Sequence, residues 1–247
     1  MSSFALLQPC TSSLRSRPQT GIHQHDDVYT RLLDAIVEQR ILPDSRLSED
    51  ALAQKYGASR SHVREALSRL SYQQLVTVHP NARARVAAPT NEQIRQALHA
   101  RRLTEMALIP MACKQPEKDD LRQLHQLLES QRQSQAENRH GAAIRLAAAF
   151  HQHLAKMAGN APLAYFLGNL VPLTSLAIAR NDINSIGAWQ HQAAIAKAVE
   201  NQDETTAIRL VSLYLDDILL RCTPAPQIKA STAQTPRGSW LQASHRQ

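Results

Sequence analysis

The sequence predicts a mostly α-helical protein built from two blocks of unequal size. Of its 247 residues only 7 are glycine and 4% are aromatic, which favours helices over sheets, while 43% hydrophobic residues suffice for a core. Apolar residues recur at helical spacing along most of the chain, and one short stretch carries β-branched residues around a turn sequence. At "AAPTNEQ", Pro89 ends this stretch and Thr90 can cap the next helix, so the seam lies there.

These patterns divide the chain into four segments. Residues 1–24 are rich in Ser, Gln, Thr and Pro, which predicts a flexible arm. Residues 25–90 are expected to form the first block, and residues 91–222 the second. Residues 223–247 hold three basic residues and no acid, which predicts a disordered basic tail.

Composition narrows the class of protein. The net charge of +7 and the pI of about 9.7 favour a polyanionic partner. Cys10, Cys113 and Cys222 are scattered, which suits neither a metal cluster nor a disulfide framework and predicts a cytoplasmic protein. No apolar run approaches the roughly 18 residues that a membrane helix needs, so we expect no membrane partner.

The first block begins with two predicted helices. In "DDVYTRLLDAIVEQRILP" the apolar side chains that share one helical face are Val28, Leu32, Leu33, Ile36 and Val37. The stretch "LSEDALAQKYG" predicts a short second helix, with Ser48 as its N-cap and Gly57 just past its C-terminus.

A third helix and a hairpin complete this block. Ser59 is a candidate N-cap, and the apolar stripe after it consists of Val63, Ala66, Leu67 and Leu70. Residues 75–78 and 85–87 can pair around a turn at Pro80 and Asn81. Three helices and a two-stranded wing, with a tight glycine turn before the third helix, predict a winged helix-turn-helix.

The start of the third helix is rich in hydrogen-bond donors. Arg60, Ser61, His62 and Arg64 lie outside its apolar stripe. The N-terminal end of such a helix can enter the major groove of DNA, where arginine binds the acceptors of guanine. We therefore predict double-stranded DNA as a partner. The alternative is the solvated face of an ordinary helical domain.

Residues 46–87, "RLSEDALAQKYGASRSHVREALSRLSYQQLVTVHPNARARVA", strongly resemble the DNA-binding domain of the GntR family of bacterial transcriptional regulators. The resemblance implies that residues of the third helix, its approach and the wing meet DNA. They are Arg46, Ser48, Ser59, Arg60, Ser61, His62, Arg64, Asn81, Arg83 and Arg85. Two positions depart from the family pattern, because His62 replaces a proline and Arg83 replaces a wing glycine.

The second block contains six helical patterns, over residues 94–114, 119–139, 142–158, 162–180, 188–201 and 204–221. "RRLTE", "LAAAFHQHLAKMAGNAPL" and "HQAAIAKAVENQDETTAIRLVSLYL" resemble the all-helical FCD domain of the FadR subfamily. That resemblance implies a bundle that binds a small-molecule effector and forms a homodimer.

Many FCD domains hold a divalent metal with one aspartate and three histidines. The corresponding positions here are Ala147, His151, Gln192 and Tyr214, and His191 lies one residue out of register. One ligand of four is retained, so we expect no metal and no cofactor. A sensor that keeps a degenerate metal site is the alternative.

Without a metal, the interior must bind its effector directly. The candidates are Arg101, His151, Arg180, Gln192 and Tyr214. A guanidinium that points into the bundle can hold a carboxylate through two hydrogen bonds. If Arg101 points inward, we therefore expect the effector to be a small organic acid. The alternative for Arg101 is a surface position on an amphipathic helix.

The combined interpretation is a dimeric, metabolite-responsive DNA-binding regulator, most simply a repressor that binds a palindromic operator. A DNA-architectural protein without a ligand is the competing binding function. A hydrolase is disfavoured, because His151 and His153 are two residues apart on a helix and point to different faces. No nucleophile motif or phosphate loop accompanies them.

Overall fold

The computed structural model describes residues 21–78, 83–181 and 188–223. Its first block contains α1 (Gly21–Val37), β1 (Arg46–Leu47), α2 (Glu49–Tyr56), α3 (Arg60–Tyr72), β2 (Val76–Thr77) and β3 (Ala84–Val86). Its second block contains α4 (Asn91–Lys114), α5 (Lys118–Ala136), α6 (His140–Met157), α7 (Ala161–Arg180), α8 (Ala188–Glu200) and α9 (Glu204–Cys222). The predicted mostly α fold is confirmed.

Local capping explains where the helices of the first block begin and end. The Ser48 hydroxyl accepts a hydrogen bond from the backbone of Ala51, and Ser59 accepts one from His62 at 3.3 Å. Gly57 ends α2 with φ of 64°, in the left-handed region that glycine enters without strain. All three predicted capping roles are confirmed.

The predicted hairpin is present, and a third strand joins it. β2 and β3 pair antiparallel, with Val76 opposite Val86, while β1 adds Arg46 opposite Arg85 on the other side of β3. The sequence did not predict β1, which is too short to show a strand period. Pro80 and Asn81, the predicted turn, lie outside the described residues.

The second block is the predicted six-helix bundle. Thr90 opens α4 in a capping box, because its side chain accepts from the Gln93 backbone while the Gln93 side chain accepts from Thr90. α4 packs against α6, α7 and α9, while α5 packs against α6 and α8. Cys113 and Cys222 are free and buried; Cys10 lies outside the described residues.

Two expectations about segments need correction. α1 begins at Gly21, so its first turn lies in the segment expected to be a flexible arm. By length and composition alone, α7 could cross a membrane, contrary to the expectation that no apolar run reaches that length. Half of that helix window is buried within the protein, as is common for a core helix of a soluble protein. It is weak evidence for a membrane segment.

The two blocks pack directly against each other. Leu176 of α7 is fully buried and belongs to the hydrophobic core of the first block. Nε of Arg145 on α6 lies 3.5 Å from Asp34 and 3.1 Å from Glu38 at the end of α1. A Cβ atom on Gly141 would lie 2.6 Å from Cα of Glu38, so α6 and α1 approach each other closely.

Candidate DNA-binding face and effector site

The donor-rich start of α3 is held against α2 by two ion pairs. Arg60 pairs with Asp50, and Arg64 binds both carboxylate oxygens of Glu49 at 3.1 and 2.7 Å. The hydrogen bond from Arg64 lowers the pKa of Glu49. The side chains of Arg60 and Arg64 are 69% and 68% exposed, so these pairs are weak and each arginine can turn toward DNA.

The same face continues into the wing. Ser48, Arg64 and Arg83 line a groove of about 640 Å³ between α2, α3 and the strands. Arg46 is exposed on β1, and Arg85 donates to the carbonyl of Asp44 at 2.8 Å. Arg85 is thus held to its own domain.

Three further candidate DNA contacts lie at or next to the start of α3. Ser59 and Ser61 join their hydroxyls at 2.8 Å, and His62 is half-buried. Asn81, the remaining wing candidate, lies outside the described residues.

A chain of buried polar side chains crosses the interior of the second block. Arg101 is 1% exposed; its Nε donates to Glu105 at 2.6 Å, and its Nη1 donates to the Thr174 hydroxyl at 2.8 Å. The second oxygen of Glu105 lies 2.7 Å from Nδ1 of His151, whose ring stacks on Tyr214. Four helices, α4, α6, α7 and α9, therefore meet at one buried cluster.

The electrostatics of this cluster fix the form of the histidine. Burial alone would raise the pKa of Glu105, but the charges and hydrogen bonds of His151 and Arg101 outweigh burial and bring it to about 2. Burial lowers the pKa of His151, against the pull of Glu105, so the imidazole is neutral at pH 7. An ionised carboxylate only accepts, so Nδ1 carries the proton and Nε2 is an acceptor. Burial raises the pKa of Tyr214 to about 12, so its hydroxyl stays protonated.

Gln192 lies beside this cluster. It is fully buried, and its Nε2 donates to the carbonyl of Ala147 at 3.1 Å. Three atoms of the region have no hydrogen-bond partner in the protein: Nη2 of Arg101, Nε2 of His151 and Oε1 of Gln192. Buried polar atoms are almost always paired, so these three atoms are exceptions to the usual pattern.

Comparison with known proteins identifies the family. A profile described as "Bacterial regulatory proteins, gntR family" matches residues 24–86, and a profile of the FCD domain matches residues 96–217. The chain belongs to the GntR family. Its combination of the two domains is the FadR-like architecture, and it is a DNA-binding transcriptional regulator, not an enzyme.

Curated relatives and solved structures agree with this assignment to the GntR family. The chain is 26% identical to the HTH-type transcriptional repressor NanR of Enterobacter sp. (strain 638), over 83% of this chain and 88% of the relative. The NanR of Cronobacter sakazakii is 28% identical, over 74% and 79% of the two chains.

Two solved structures share the fold at low sequence identity. E. coli McbR/YncC superimposes with a TM-score of 0.71 at 18% identity, over 81% of this chain and 96% of that one. A chain described as a GntR transcriptional regulator of Rhodococcus sp. RHA1 gives 0.71 at 22%, over 82% and 99%.

The residues at the metal positions of this GntR regulator do not fit a metal ion. The amide nitrogen of Gln192 donates to the carbonyl of Ala147, and the alanine side chain has no atom that could bind a metal. The Tyr214 ring stacks on the His151 ring. His191 is exposed, so a shift of register does not restore a ligand. Within the described ranges no group of three or more His, Cys, Asp or Glu is placed to hold a metal.

The structure separates one predicted effector residue from the rest. Arg180 donates to the carbonyl of Pro89 at 2.6 Å, at the junction between the blocks, and not to the buried cluster. The sequence interpretation missed Glu105 and Thr174, the two partners of Arg101. Glu105 lies four residues after Arg101, a spacing that places both on one helical face and was available as a signal.

The two histidines considered for hydrolysis bind different helices. His151 faces Glu105 on α4, whereas Nε2 of His153 lies 3.1 Å from the carbonyl of Asp120 on α5. They do not share a reacting centre.

Proposed function

We propose that this GntR regulator is a homodimeric repressor that acts in the cytoplasm, binds a two-fold symmetric operator and releases it when a small organic acid occupies the second block. The observation that carries the proposal is the joint presence of two features. One is the capped α3 with its exposed arginines, and the other is the buried cluster around Arg101.

Charge and geometry support the reading of DNA by α3. Arg60 and Arg64 begin a capped helix whose apolar stripe is buried, so their side chains project from a rigid support. Guanine offers two acceptors to an arginine in the major groove, and phosphates can replace Asp50 and Glu49 as partners. Ser59 and Ser61 lie at the start of α3, and the first backbone N–H groups of a helix attract phosphate.

The polar cluster supports an acidic effector. Nη2 of Arg101 is a buried cationic donor without a partner, and a carboxylate would supply the missing acceptor. His151, Gln192 and Tyr214 surround it with further polar groups. Because these residues are 6% exposed or less, a bound molecule would be enclosed by the bundle.

Dimerisation is supported by exposed apolar side chains on the second block, and repression by the two NanR relatives. Leu103, Tyr165 and Phe166 are exposed by 59%, 74% and 58% on α4 and α7, and large apolar side chains of this kind mark association surfaces. A symmetric dimer presents two α3 helices to a palindrome. Repression is the role that the names of the two NanR relatives give them.

A binding experiment with the protein's own promoter fragment tests the DNA-reading role. Arg60→Ala should weaken binding by about 1–3 kcal/mol if the arginine contacts a guanine. Arg132→Ala on α5 is the matched control, since Arg132 is also an exposed arginine paired with an acid, and it should bind as wild type does.

Two outcomes would contradict the proposal. Equal affinity of wild type for the promoter and for random DNA of the same length would show that the protein does not recognise an operator sequence. Unchanged promoter binding by Arg60→Ala would show that Arg60 does not contact the DNA bases.

A further inference from the structure

The C-terminal end of α1 carries two acidic side chains and no basic one. Asp34 lies in the last turn of the helix, and Glu38 follows four residues later, with its backbone N–H bonded to the Asp34 carbonyl at 2.8 Å. Like charges at this spacing repel each other, and the end of a helix disfavours anions. Burial raises the pKa of Asp34, and Glu38 adds to that effect. This end of α1 therefore needs positive charge from outside the helix.

The second block supplies that charge through Arg145 on α6. Its Nε lies 3.1 Å from one carboxylate oxygen of Glu38 and 3.5 Å from Asp34. Nε of Arg40 lies 2.9 Å from the other oxygen of Glu38. Gly141 precedes Arg145 by one turn of α6, and its missing side chain lets the backbones of α6 and α1 meet at Glu38. The arginine therefore reaches both acids across a contact that the glycine makes close.

The position of α1 determines the position of α3, the helix proposed to read DNA. Val28, Leu32 and Ile36 of α1 share one hydrophobic core with Val63 and Leu67 of α3. Close-packed side chains of this kind transmit displacements and do not absorb them. A rotation of α1 against α6 is therefore also a rotation of α3 against the second block.

Two other contacts between the blocks both come from α7. Leu176 enters the core of the first block, and Arg180, one helical turn later, donates to the carbonyl of Pro89. Contacts along one line of a single helix leave rotation about that line possible. The contact of Arg145 with α1 comes from a different helix and lies off this line, so it opposes the rotation.

The strength of the Arg145 contact suits it to set an angle between the blocks, not to hold them together. The side chain of Arg145 is 40% exposed, and those of Asp34 and Glu38 are 26% and 19% exposed. Water and salt therefore weaken the attraction. Leu176 is fully buried and keeps the blocks attached without it. Loss of the arginine charge should leave the fold intact and free the angle.

We propose that Arg145 is a positioning residue that sets the spacing of DNA half-sites that this regulator accepts. The inference rests on the proposed homodimer and its two-fold operator, and it adds a determinant of specificity that does not touch DNA. In a symmetric dimer, the angle between the blocks fixes the separation of the two α3 helices. One base pair added between half-sites displaces them by roughly 3.4 Å and rotates them by about 35° around the DNA axis. A fixed angle therefore discriminates between spacings.

Binding of the full chain to operators of altered spacing tests this role. The probes are the operator that footprinting defines in the protein's own promoter, and derivatives with one base pair inserted or removed at its centre. Wild type should bind the native spacing about tenfold more tightly than either derivative. Arg145→Met keeps a long side chain without the charge, and this ratio should fall by about threefold or more. Its affinity for the native spacing should fall only a few-fold, because α3 itself is unchanged.

Two further variants separate the charge from other effects of substitution. Arg145→Lys keeps a cation, and its ammonium can reach both acids because the contacting atom of the arginine is Nε. It should keep the wild-type ratio between spacings. Arg132→Met removes an exposed arginine of α5 that pairs with Glu129 on its own helix, so it should keep both the ratio and the affinity. All three variants should melt close to wild type.

Each contrary result overturns the inference. A wild-type ratio in Arg145→Met would show that other contacts set the angle, and loss of the ratio in Arg145→Lys would show that the charge does not. Complete loss of promoter binding in Arg145→Met would mean that the contact supports α3 itself. Equal binding of all spacings by wild type would also refute the inference. Preference of wild type for the promoter over random DNA is measured separately and decides the proposed function.

Discussion

The guanidinium of Arg101 already has a counter-charge inside the protein. The sequence suggested that an inward arginine would await a ligand carboxylate, but Glu105 provides one at 2.6 Å and leaves only Nη2 for a guest. The effector would therefore join an existing pair instead of neutralising a lone cation. Removing Arg101 would strand Glu105, a buried anion, so loss of the ligand response in such a variant has two explanations.

This arrangement predicts how variants of the pair unfold. Arg101→Met should destabilise the protein by about 3–5 kcal/mol, because it leaves the Glu105 carboxylate buried without its partner. Arg101→Met with Glu105→Leu should recover much of that loss, since no buried charge then remains unpaired. Urea titrations of both variants measure the difference. A double variant as unstable as the single one would show that packing, and not charge, sets the effect.

The same carboxylate predicts acid sensitivity. The pKa of Glu105 is about 2 in the folded protein against 4.5 as its ordinary value, so the unfolded chain binds the proton more tightly. The stabilisation is complete above pH 4.5 and is lost as the pH falls toward 2. The melting temperature of wild type should therefore fall more steeply over this range than that of Glu105→Gln. The exposed variant Glu117→Gln should keep the wild-type slope; parallel curves for all three would refute the prediction.

At the scale of elements, the sequence determined helices far better than contacts between them. Ser48, Ser59, Gly57 and Thr90 predict helix ends because their capping chemistry is local. The bond from Arg101 to Thr174 joins positions 73 residues apart, so no local pattern reveals it. The sequence also placed Arg180 wrongly in the effector site, for the same reason. Its partner, the carbonyl of Pro89, is 91 residues away along the chain and is set only by the packing of α7.

The contact between α6 and α1 is an element-scale feature that a single methyl group can test. A Cβ on Gly141 would lie 2.6 Å from Glu38 Cα and 2.9 Å from its carbonyl oxygen, so the two helices must separate. Gly141→Ala should destabilise the protein by about 1–3 kcal/mol, despite the higher helix propensity of alanine. Gly168→Ala in α7 has open space around its new methyl group and should be neutral or slightly stabilising. Equal effects of the two substitutions on the melting temperature would contradict the close approach.

At the scale of the molecule, the helices that build the buried polar cluster around Arg101 also pack against the first block. α6 carries His151 toward the cluster and Arg145 toward α1. α7 carries Thr174 in the cluster and, two residues later, Leu176 in the core of the first block. A ligand that shifts either helix therefore acts directly on the support of α3, and only a difference in affinity between two arrangements can drive that response.

Leu176 gives the last prediction, because it is the point where the second block enters the core of the first. If the blocks unfold together through this contact, wild type should show one calorimetric transition. Leu176→Ala should remove about 2–5 kcal/mol of stability and separate that transition into two, since the cavity weakens the contact between the blocks more than either core.

Leu215→Ala is the matched control, because Leu215 is also buried but lies wholly in the core of the second block. It should lower the melting temperature without separating the transition. Two transitions in wild type, or one in Leu176→Ala, would show that the blocks do not depend on this leucine, and the coupling would then have to pass through Arg145 and the junction at Pro89 instead.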